Sequence, residues 1–439
     1  MNNFFRHCTP TVLTSLSVAV SASYLTNSSI LHQDGQKQYT RCDEIPPEQR
    51  NQKGVAANSS VGSSSIGTTP RAKILFLGTG SSIGCPKPLC TLLFPPEWNR
   101  GSSLVTDMKD DSDLETLRKI NEPFCKTSIM ATQGDPRYNK NYRGNPSLVI
   151  SHFNNDDEDD DNVSNDQMPS SSVRNVVIDV GKTFRENAIR FLHKNDVHSI
   201  DAVVLTHEHM DAFGGLDDIR GFQLPQRPYL ENTLPFSPRT PISIYLSSNC
   251  FEAVKQQFSY LVPRPPKKGQ IKRHVASLQY NTIHHFQPFI AGGLKMIPLP
   301  VLHGGNFVCN GYAFTVRGRG CDDDANCDIN SGTEKKKDEM NVVYLSDISR
   351  MIPETEEYIM KNLPPTDVLV VDSLLMKRQN PVHFSLNDAV ELVKRLKPKR
   401  TYIVGVNCDD FLPHDEMNEE LSKLDLNIQL AYDGLALYV

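Results

Sequence analysis

Short apolar runs that end at polar residues recur along the chain and predict β-strands alternating with amphipathic helices. Strands are predicted at Lys73–Leu77, Pro146–Ser151, Val176–Val180, Ala202–Thr206, Ile242–Leu246, Lys295–Leu299, Tyr312–Val316, Val342–Leu345, Val368–Asp372 and Tyr402–Val406. Helices are predicted at Thr183–Lys194, Leu216–Phe222, Phe251–Leu261, Pro353–Lys361, Leu386–Leu396 and Glu416–Lys423. Both halves of the chain carry strands with helices between them, which is typical of a mixed α and β protein.

Polar stretches interrupt this pattern and indicate the domain boundaries. Residues 34–70 are rich in Ser, Gln and Asn and predict a linker, so a single folded domain is expected over residues 71–439. Within that domain we predict three polar insertions, at residues 101–122, 154–172 and 318–338. The second contains adjacent carboxylates from Asp156 to Asp161, whose mutual repulsion favours a solvated loop.

The N-terminal residues predict a targeting segment. Residues 1–33 contain no acidic residue, many Ser and Thr, and an apolar stretch from Val12 to Tyr24. This composition indicates a transit peptide for an organelle, either a mitochondrion or a plastid. A secretory-type signal and a disordered tail on a cytoplasmic protein are the alternatives.

Charge and cysteine content exclude several classes of protein. The chain has 46 Lys and Arg against 52 Asp and Glu, a net charge of −6, which argues against bulk binding of nucleic acid. No apolar run reaches the about 18 residues that a membrane span needs. Ten cysteines are too few for a disulfide scaffold in a chain of 439 residues, so free thiols or metal ligands are expected.

The predicted strand Ala202–Thr206 leads directly into candidate metal ligands. His207, His209 and Asp211 follow it at alternate positions, and a glycine pair comes next. Alternate side chains of an extended chain point to the same side. Two imidazoles and a carboxylate could therefore bind a divalent ion such as Zn²⁺, Mn²⁺ or Fe²⁺. The alternative is a polar strand end with solvated histidines.

These residues resemble the His-x-His-x-Asp-His signature of the metallo-β-lactamase fold superfamily. Further similarity extends through most of residues 71–439, at Gly78–Gly80, Ile178–Gly181, Leu302–Gly304, Tyr344–Asp347 and Tyr432–Leu435. Within the superfamily the chain is most similar to the branch of phosphoribosyl cyclic phosphodiesterase and its eukaryotic hydrolase relatives. The resemblance implies an α+β fold, the αββα sandwich, in which two packed sheets are flanked by helices.

The resemblance also implies which distant residues complete the metal centre. His303 follows the apolar run Met296–Leu302 and is the expected third histidine ligand, and Asp347 is the expected carboxylate between two metals. Asp211 would be a catalytic residue and a ligand of the second metal. Cys408 stands where the last histidine ligand is usual, and Ala212 replaces another histidine. We therefore expect one or two Zn or Mn ions, the second bound more weakly.

His383 is the candidate general acid. Ser385 and Asp388 have the spacing of a capping box ahead of the predicted helix Leu386–Leu396, which places His383 just outside a helix N-terminus. Such an end attracts phosphate oxygens. In the resembled phosphodiesterase a histidine here protonates the leaving alkoxide. The alternative is a histidine that only flanks a helix cap.

Three cysteines suggest an additional structural zinc site. The resemblance implies that this ion is bound by Cys85, Cys90, Cys125 and His414. Four protein ligands leave no open position for a substrate, so the site would be structural. Free thiols are the alternative.

Together these expectations describe a metal-dependent hydrolase. We expect a phosphodiesterase that acts on a small cyclic or nucleotide-like phosphodiester through hydroxide formed on the metal. A thioester or lactone hydrolase of the same fold and a catalytically weakened binding protein are the alternatives. The small-molecule substrate is the expected partner, and the sequence does not indicate the oligomeric state.

Overall fold

The computed structural model describes residues 72–92, 125–153, 173–223, 240–263, 275–318 and 339–439. The predicted extension at residues 1–70 and the insertions at residues 101–122 and 154–172 lie outside these ranges, as does residue 319 onward of the third insertion. All described residues belong to one compact unit, Gly67–Val439. Among the helices in these ranges, none is long and apolar enough to cross a membrane.

The described strands form two sheets of seven strands each. In the first sheet the order is β14-β1-β2-β3-β4-β5-β6, with β1 Lys73–Gly78, β2 Ser147–Phe153, β3 Val173–Ile178, β4 Ala202–Val204, β5 Ile242–Leu246, β6 Leu278–Thr282 and β14 Ala436–Tyr438. In the second sheet it is β13-β12-β11-β10-β9-β8-β7, with β7 Phe289–Ala291, β8 Leu294–Leu302, β9 Val308–Arg317, β10 Glu339–Leu345, β11 Val368–Asp372, β12 Arg400–Val404 and β13 Ile428–Leu430. The first sheet thus takes consecutive strands plus β14, which returns to pair with β1.

Helices cover the outer face of each sheet. The described α-helices are α1 Pro88–Leu92, α2 Lys126–Ala131, α3 Phe184–Phe191, α4 Met210–Phe213, α5 Ser248–Gln257, α6 Pro353–Asn362, α7 Leu386–Leu396 and α8 His414–Leu421. The predicted helix at Leu216–Phe222 is a 3₁₀ helix. Apolar residues of α3, α4 and α5 pack on the first sheet, and those of α6, α7 and α8 pack on the second.

The alternation of side chains along a strand explains the layers. In β1, Ile74 and Phe76 face the second sheet, whereas Leu75 and Leu77 face the helices. Both faces are buried, which is why β1 is apolar throughout. The architecture is therefore two helix-covered sheets packed face to face, which confirms the predicted αββα sandwich.

A buried charge cluster joins the C-terminal segment to the first sheet. The carboxylate of Asp433 accepts hydrogen bonds from Thr79 Oγ1 at 2.8 Å, from Gly144 N at 2.7 Å and from Arg190 at 3.2 Å. Arg143 donates to the same Thr79 hydroxyl at 2.8 Å. A buried charge pair is tolerated when hydrogen bonds satisfy it in this way, and removal of one partner is costly.

Candidate metal centre and active site

The structure brings His207, His209 and His303 together at one end of the sandwich. One ligand atom from each lies within 4.8 Å of the others, although His303 is 94 residues from His209. Nε2 of His303 lies 3.2 Å from Nδ1 of His209. Two ligands of a tetrahedral ion with bonds of about 2.1 Å lie about 3.4 Å apart. The spacing therefore fits three ligands of one divalent ion.

A chain of buried hydrogen bonds orients His207. Thr206 donates its backbone N–H and its hydroxyl to the Asp179 carboxylate, both at 2.8 Å. The Thr206 hydroxyl must then accept from Nδ1 of His207, which lies 2.8 Å away. Nε2 of His207 keeps its lone pair and is buried without a hydrogen-bond partner among the described residues. Burial lowers the pKa of His207 well below its usual value, which keeps the ring in the neutral form that a metal ligand needs.

His303 is oriented by the loop that carries His383. Its Nδ1 lies 2.7 Å from the carbonyl oxygen of Val382, which can only accept, so Nε2 is free to bind a metal. The neighbouring Gly304 has a φ of +82°, and a Cβ there would lie 2.5 Å from the Val382 side chain. A glycine at position 304 therefore allows the two loops to approach closely.

Asp347 also lies near Nε2 of His303. Oδ1 of Asp347 is 4.0 Å from both His303 Nε2 and His383 Nδ1, and these three residues form a second group that could hold a metal. Asp211 is buried nearby but is a member of neither group. Its negative charge opposes the effect of burial on His207 and favours the charged form of His383. The structure thus places Asp347 4.0 Å from two of the histidines, and the Asp211 charge acts on His207 and His383.

Asp372 is a residue of the site that the sequence analysis did not identify. It is the last residue of β11, and its carboxylate lies 2.7 Å from Nδ1 of His383. Burial opposes a charge on His383, but the Asp372 carboxylate outweighs it and raises the pKa of the imidazole to about 9. A polar residue ending an apolar strand was the available signal, the same one that indicated His207 and Asp347.

The position of His383 relative to helix α7 is as predicted. Ser385 Oγ accepts from Asp388 N at 3.3 Å, and the Asp388 carboxylate accepts from Ser385 N at 2.9 Å, which completes the capping box. His383 therefore lies two residues before the N-cap of a helix with partial positive charge at this end.

Cys408 lies in a different cluster from the one we predicted. The structure does not bring it to the histidines but groups its Sγ with those of Cys90 and Cys125, each within 4.8 Å of the others. Cys85 packs in the same buried cluster and contacts the Cys408 thiol. The chain turns at Gly405, directly after β12, and this turn carries Cys408 away from Asp372 and the metal centre.

His414, our predicted fourth ligand of the structural zinc, is also not in the cysteine group. Its Nδ1 lies 3.0 Å from an Arg143 nitrogen and its Nε2 lies 3.1 Å from Asn418 Nδ2, so both ring nitrogens face donors outside the cysteine group, and the neutral ring accepts from one of them. Burial and the Arg143 charge lower the pKa of His414 to about 3. Cys408 thus occupies the place in the cluster that we assigned to His414.

The cysteine cluster has the chemistry of a site for a soft cation. Cys125 Sγ donates to the backbone oxygen of Cys408 at 2.8 Å, and Ser128 Oγ lies 3.1 Å from Cys408 Sγ. Its bond to Cys408 and burial raise the pKa of the Cys125 thiol. The neighbouring Cys125 thiol lowers the pKa of Cys408, but the Cys85 thiol and burial raise it, to about 12. Bound Zn²⁺ would lower these raised pKa values, because a thiol that binds it loses its proton readily.

The two-sheet sandwich with this cluster of histidines and carboxylates defines a scaffold of hydrolytic metalloenzymes. The chain belongs to the metallo-β-lactamase fold superfamily, because the family model for a beta-lactamase superfamily domain matches residues 174–405, more than half of the sequence.

Solved structures and a curated protein are similar to this chain at low sequence identity. A diphosphatase from the PhnP family is 24% identical with a TM-score of 0.52, covering 84% of this chain and 98% of the other. Zn²⁺-bound PqqB from Methylobacterium extorquens is 14% identical with a TM-score of 0.51, covering 84% of this chain and 100% of the other. An octanoyltransferase from Porphyromonas gingivalis is 22% identical over 263 residues, 60% of this chain and 42% of that protein. The chain thus spans less than half of that relative, and the structural likenesses show the fold alone.

Proposed function

We propose that this protein is a metal-dependent phosphodiesterase for a small cyclic or nucleotide-like phosphodiester. The observation that supports this most is the buried pair of Asp372 and His383 beside the metal-ligand cluster, at 2.7 Å. An imidazole held in its protonated form at this place is a proton donor for a departing oxygen.

The proposed metal ligands are divided between two positions. His207, His209 and His303 would hold one ion, and Asp347 with Asp211 would contribute to a second. When bound, Zn²⁺ or Mn²⁺ lowers the pKa of water, which makes hydroxide available near neutral pH, and offsets the charge of the phosphate.

The rest of the reaction depends on residues of the chain itself. His383 would protonate the leaving alkoxide, while Asp372 holds Nδ1 and so keeps Nε2 for the substrate. The N-terminus of α7 adds positive electrostatic potential beside it. A thiolate, with a reference pKa of about 8.5, leaves without such help, whereas an alkoxide is a much poorer leaving group. A dedicated acid therefore favours a phosphodiester over a thioester.

We also propose that Cys85, Cys90, Cys125 and Cys408 hold a structural Zn²⁺. Four thiolates make a closed site without an open position for substrate. This site replaces the set of three cysteines and His414 that the sequence analysis predicted.

Activity assays test the proposed reaction. The full chain, reconstituted with Zn²⁺ or Mn²⁺, is given bis(p-nitrophenyl) phosphate, a cyclic nucleotide and an acyl thioester, which the octanoyltransferase match makes the relevant competitor. We expect turnover of the phosphodiesters, lost by more than about 100-fold in His303→Ala and retained in the control His198→Ala, whose side chain is exposed. Turnover of the thioester alone would overturn the proposal. A single bound ion per chain after reconstitution, lost in Cys408→Ser, would place metal only at the cysteines and would favour a binding protein.

A further inference from the structure

The ring of Phe307 contacts all three histidines of the candidate metal centre. It lies parallel to the imidazole of His209, with centroids 4.9 Å apart and planes 4° from each other. Its centroid is 6.0 Å from that of His207 and 5.9 Å from that of His303, both at steep angles. One apolar ring therefore borders the whole set of nitrogen ligands.

The backbone holds Phe307 firmly in this place. His303 N donates to the Phe307 oxygen and Phe307 N donates to the Gly304 oxygen, both at 2.9 Å. Gly304 N in turn donates to Ser349 Oγ at 2.8 Å, which joins this turn to the loop after Asp347. Phe307 is thus fixed to the same tight turn that carries the ligand His303.

His209 differs from the other two histidines in how it is oriented. His207 is held by Thr206, and His303 is held by the Val382 carbonyl. His209 is exposed, and in the part of the chain that the structure describes its ring has no hydrogen bond to an oxygen. A metal-binding histidine normally needs a second partner that fixes its ring. For His209 the parallel ring of Phe307 is the contact in that position.

We propose that Phe307 is a positioning residue that fixes the ring plane of His209 and thereby sets the metal affinity of the three-histidine site. The inference rests on the proposed metal centre. A flat face at position 307 restricts rotation of the imidazole about its Cβ–Cγ bond, so less conformational freedom is lost when an ion binds.

Three variants separate this role from simple filling of space. Phe307→Leu keeps an apolar side chain but removes the flat face, and we expect metal affinity at the histidine site to fall about 10- to 100-fold. Phe307→Tyr keeps the flat face, so its affinity should equal that of the wild type. Phe251→Leu is the matched control, because Phe251 is a half-buried ring that packs on Tyr280 at 5.1 Å, on helix α5.

The measurement uses Co²⁺ and Zn²⁺ with the full chain. The cysteine site is first filled with one equivalent of Zn²⁺, which has no visible bands. Competition with a chromophoric chelator then gives the Co²⁺ affinity of the histidine site, the visible Co²⁺ bands report its geometry, and the absence of thiolate charge-transfer bands checks that Co²⁺ has not entered the cysteines. We expect Phe307→Leu to lose affinity and alter the visible bands, with Phe307→Tyr and Phe251→Leu unchanged. Equal affinity in wild type and Phe307→Leu would overturn the proposal. So would a folded Phe307→Tyr, checked by circular dichroism, that loses affinity, and this second test holds even if the leucine variant does not fold. A wild-type chain without any Co²⁺ at the histidines would instead overturn the metal centre itself.

Discussion

Asp372 accepts a hydrogen bond from Nδ1 of His383 at 2.7 Å, although the two residues lie on a strand end and on a separate loop before helix α7. The backbone of Gly405 packs directly against this pair, since a Cβ there would lie 2.0 Å from the Asp372 carboxylate. The pair is thus closely enclosed, which fixes both the orientation and the charge of the imidazole.

Replacement of Asp372 tests whether His383 acts as an acid. Asp372→Asn keeps a hydrogen-bond acceptor but removes the charge that stabilises the imidazolium. We expect kcat to fall by about 100-fold for a phosphodiester with an alkoxide leaving group, at the low end of what general acid catalysis contributes. KM and metal content should stay the same.

The leaving group provides the control for this variant. With p-nitrophenolate, which departs without a proton, the loss in kcat should be much smaller. An equal loss with both leaving groups would mean that Asp372 supports the site in another way.

The composition of the cysteine cluster predicts which variants lose zinc. Cys125→Ser and Cys408→Ser should each reduce bound zinc by one ion per chain, measured by elemental analysis. Cys250→Ser is the matched control, because Cys250 is buried but packs with helix α5 against the first sheet. His414→Gln should leave the zinc content unchanged, since its nitrogens face Arg143 and Asn418.

Loss of this zinc should also lower the activity of the candidate active site. Residues on both sides of Cys408 bind the segment before His383, since Asp410 accepts from Met376 N at 2.5 Å and Asn407 N donates to the Leu374 oxygen at 3.2 Å. We expect lower kcat in Cys408→Ser. Zinc lost from His414→Gln but retained by Cys408→Ser would instead restore the ligand set predicted from the sequence.

The lowered pKa of His414 predicts how stability depends on pH. The folded state holds this pKa at about 3, below the reference value of 6.5, so the unfolded chain binds the extra proton between these values. Stability is therefore fully present above pH 6.5 and decreases as the pH falls through this window. By pH 5 the loss from this group is about 2 kcal/mol.

Urea unfolding of wild type and His414→Gln at pH 7.5 and pH 5 measures this effect. Glutamine carries no proton, so the stability of the variant relative to wild type should improve by about 2 kcal/mol at the lower pH. Titration of His414 by NMR with a pKa near 6.5 would contradict the prediction.

The strands that the sequence predicted are those with neighbours on both sides. The four described strands that it missed, β6, β7, β13 and β14, are the edges of the two sheets. These strands have three to five residues, and β6, Leu278–Thr282, is mostly polar and half-buried. An edge strand is paired on one side only, so it needs no long apolar run. Its position depends on the sheet that it joins.

The same distinction applies to the site. His207, His303 and Asp347 each follow an apolar strand, and strand ends that meet at one end of a sandwich bring them together. Asp372 had that signal too, but its role depends on His383, which no local pattern links to it. Cys408 could not be placed because its direction depends on the turn at Gly405, where a left-handed φ of +75° redirects the chain.

The pairing of β14 with β1 has a consequence for biosynthesis. One edge of β1 stays unpaired until residues 436–438 have been synthesised, and Arg190 has no ion pair with Asp433 until that residue is present. A nascent chain interrupted before Asp433 would leave Arg143 and Arg190 without the counter-charge inside the protein, with one sheet open to other chains. Residues 433–438 must therefore be synthesised before β1 has both of its neighbouring strands.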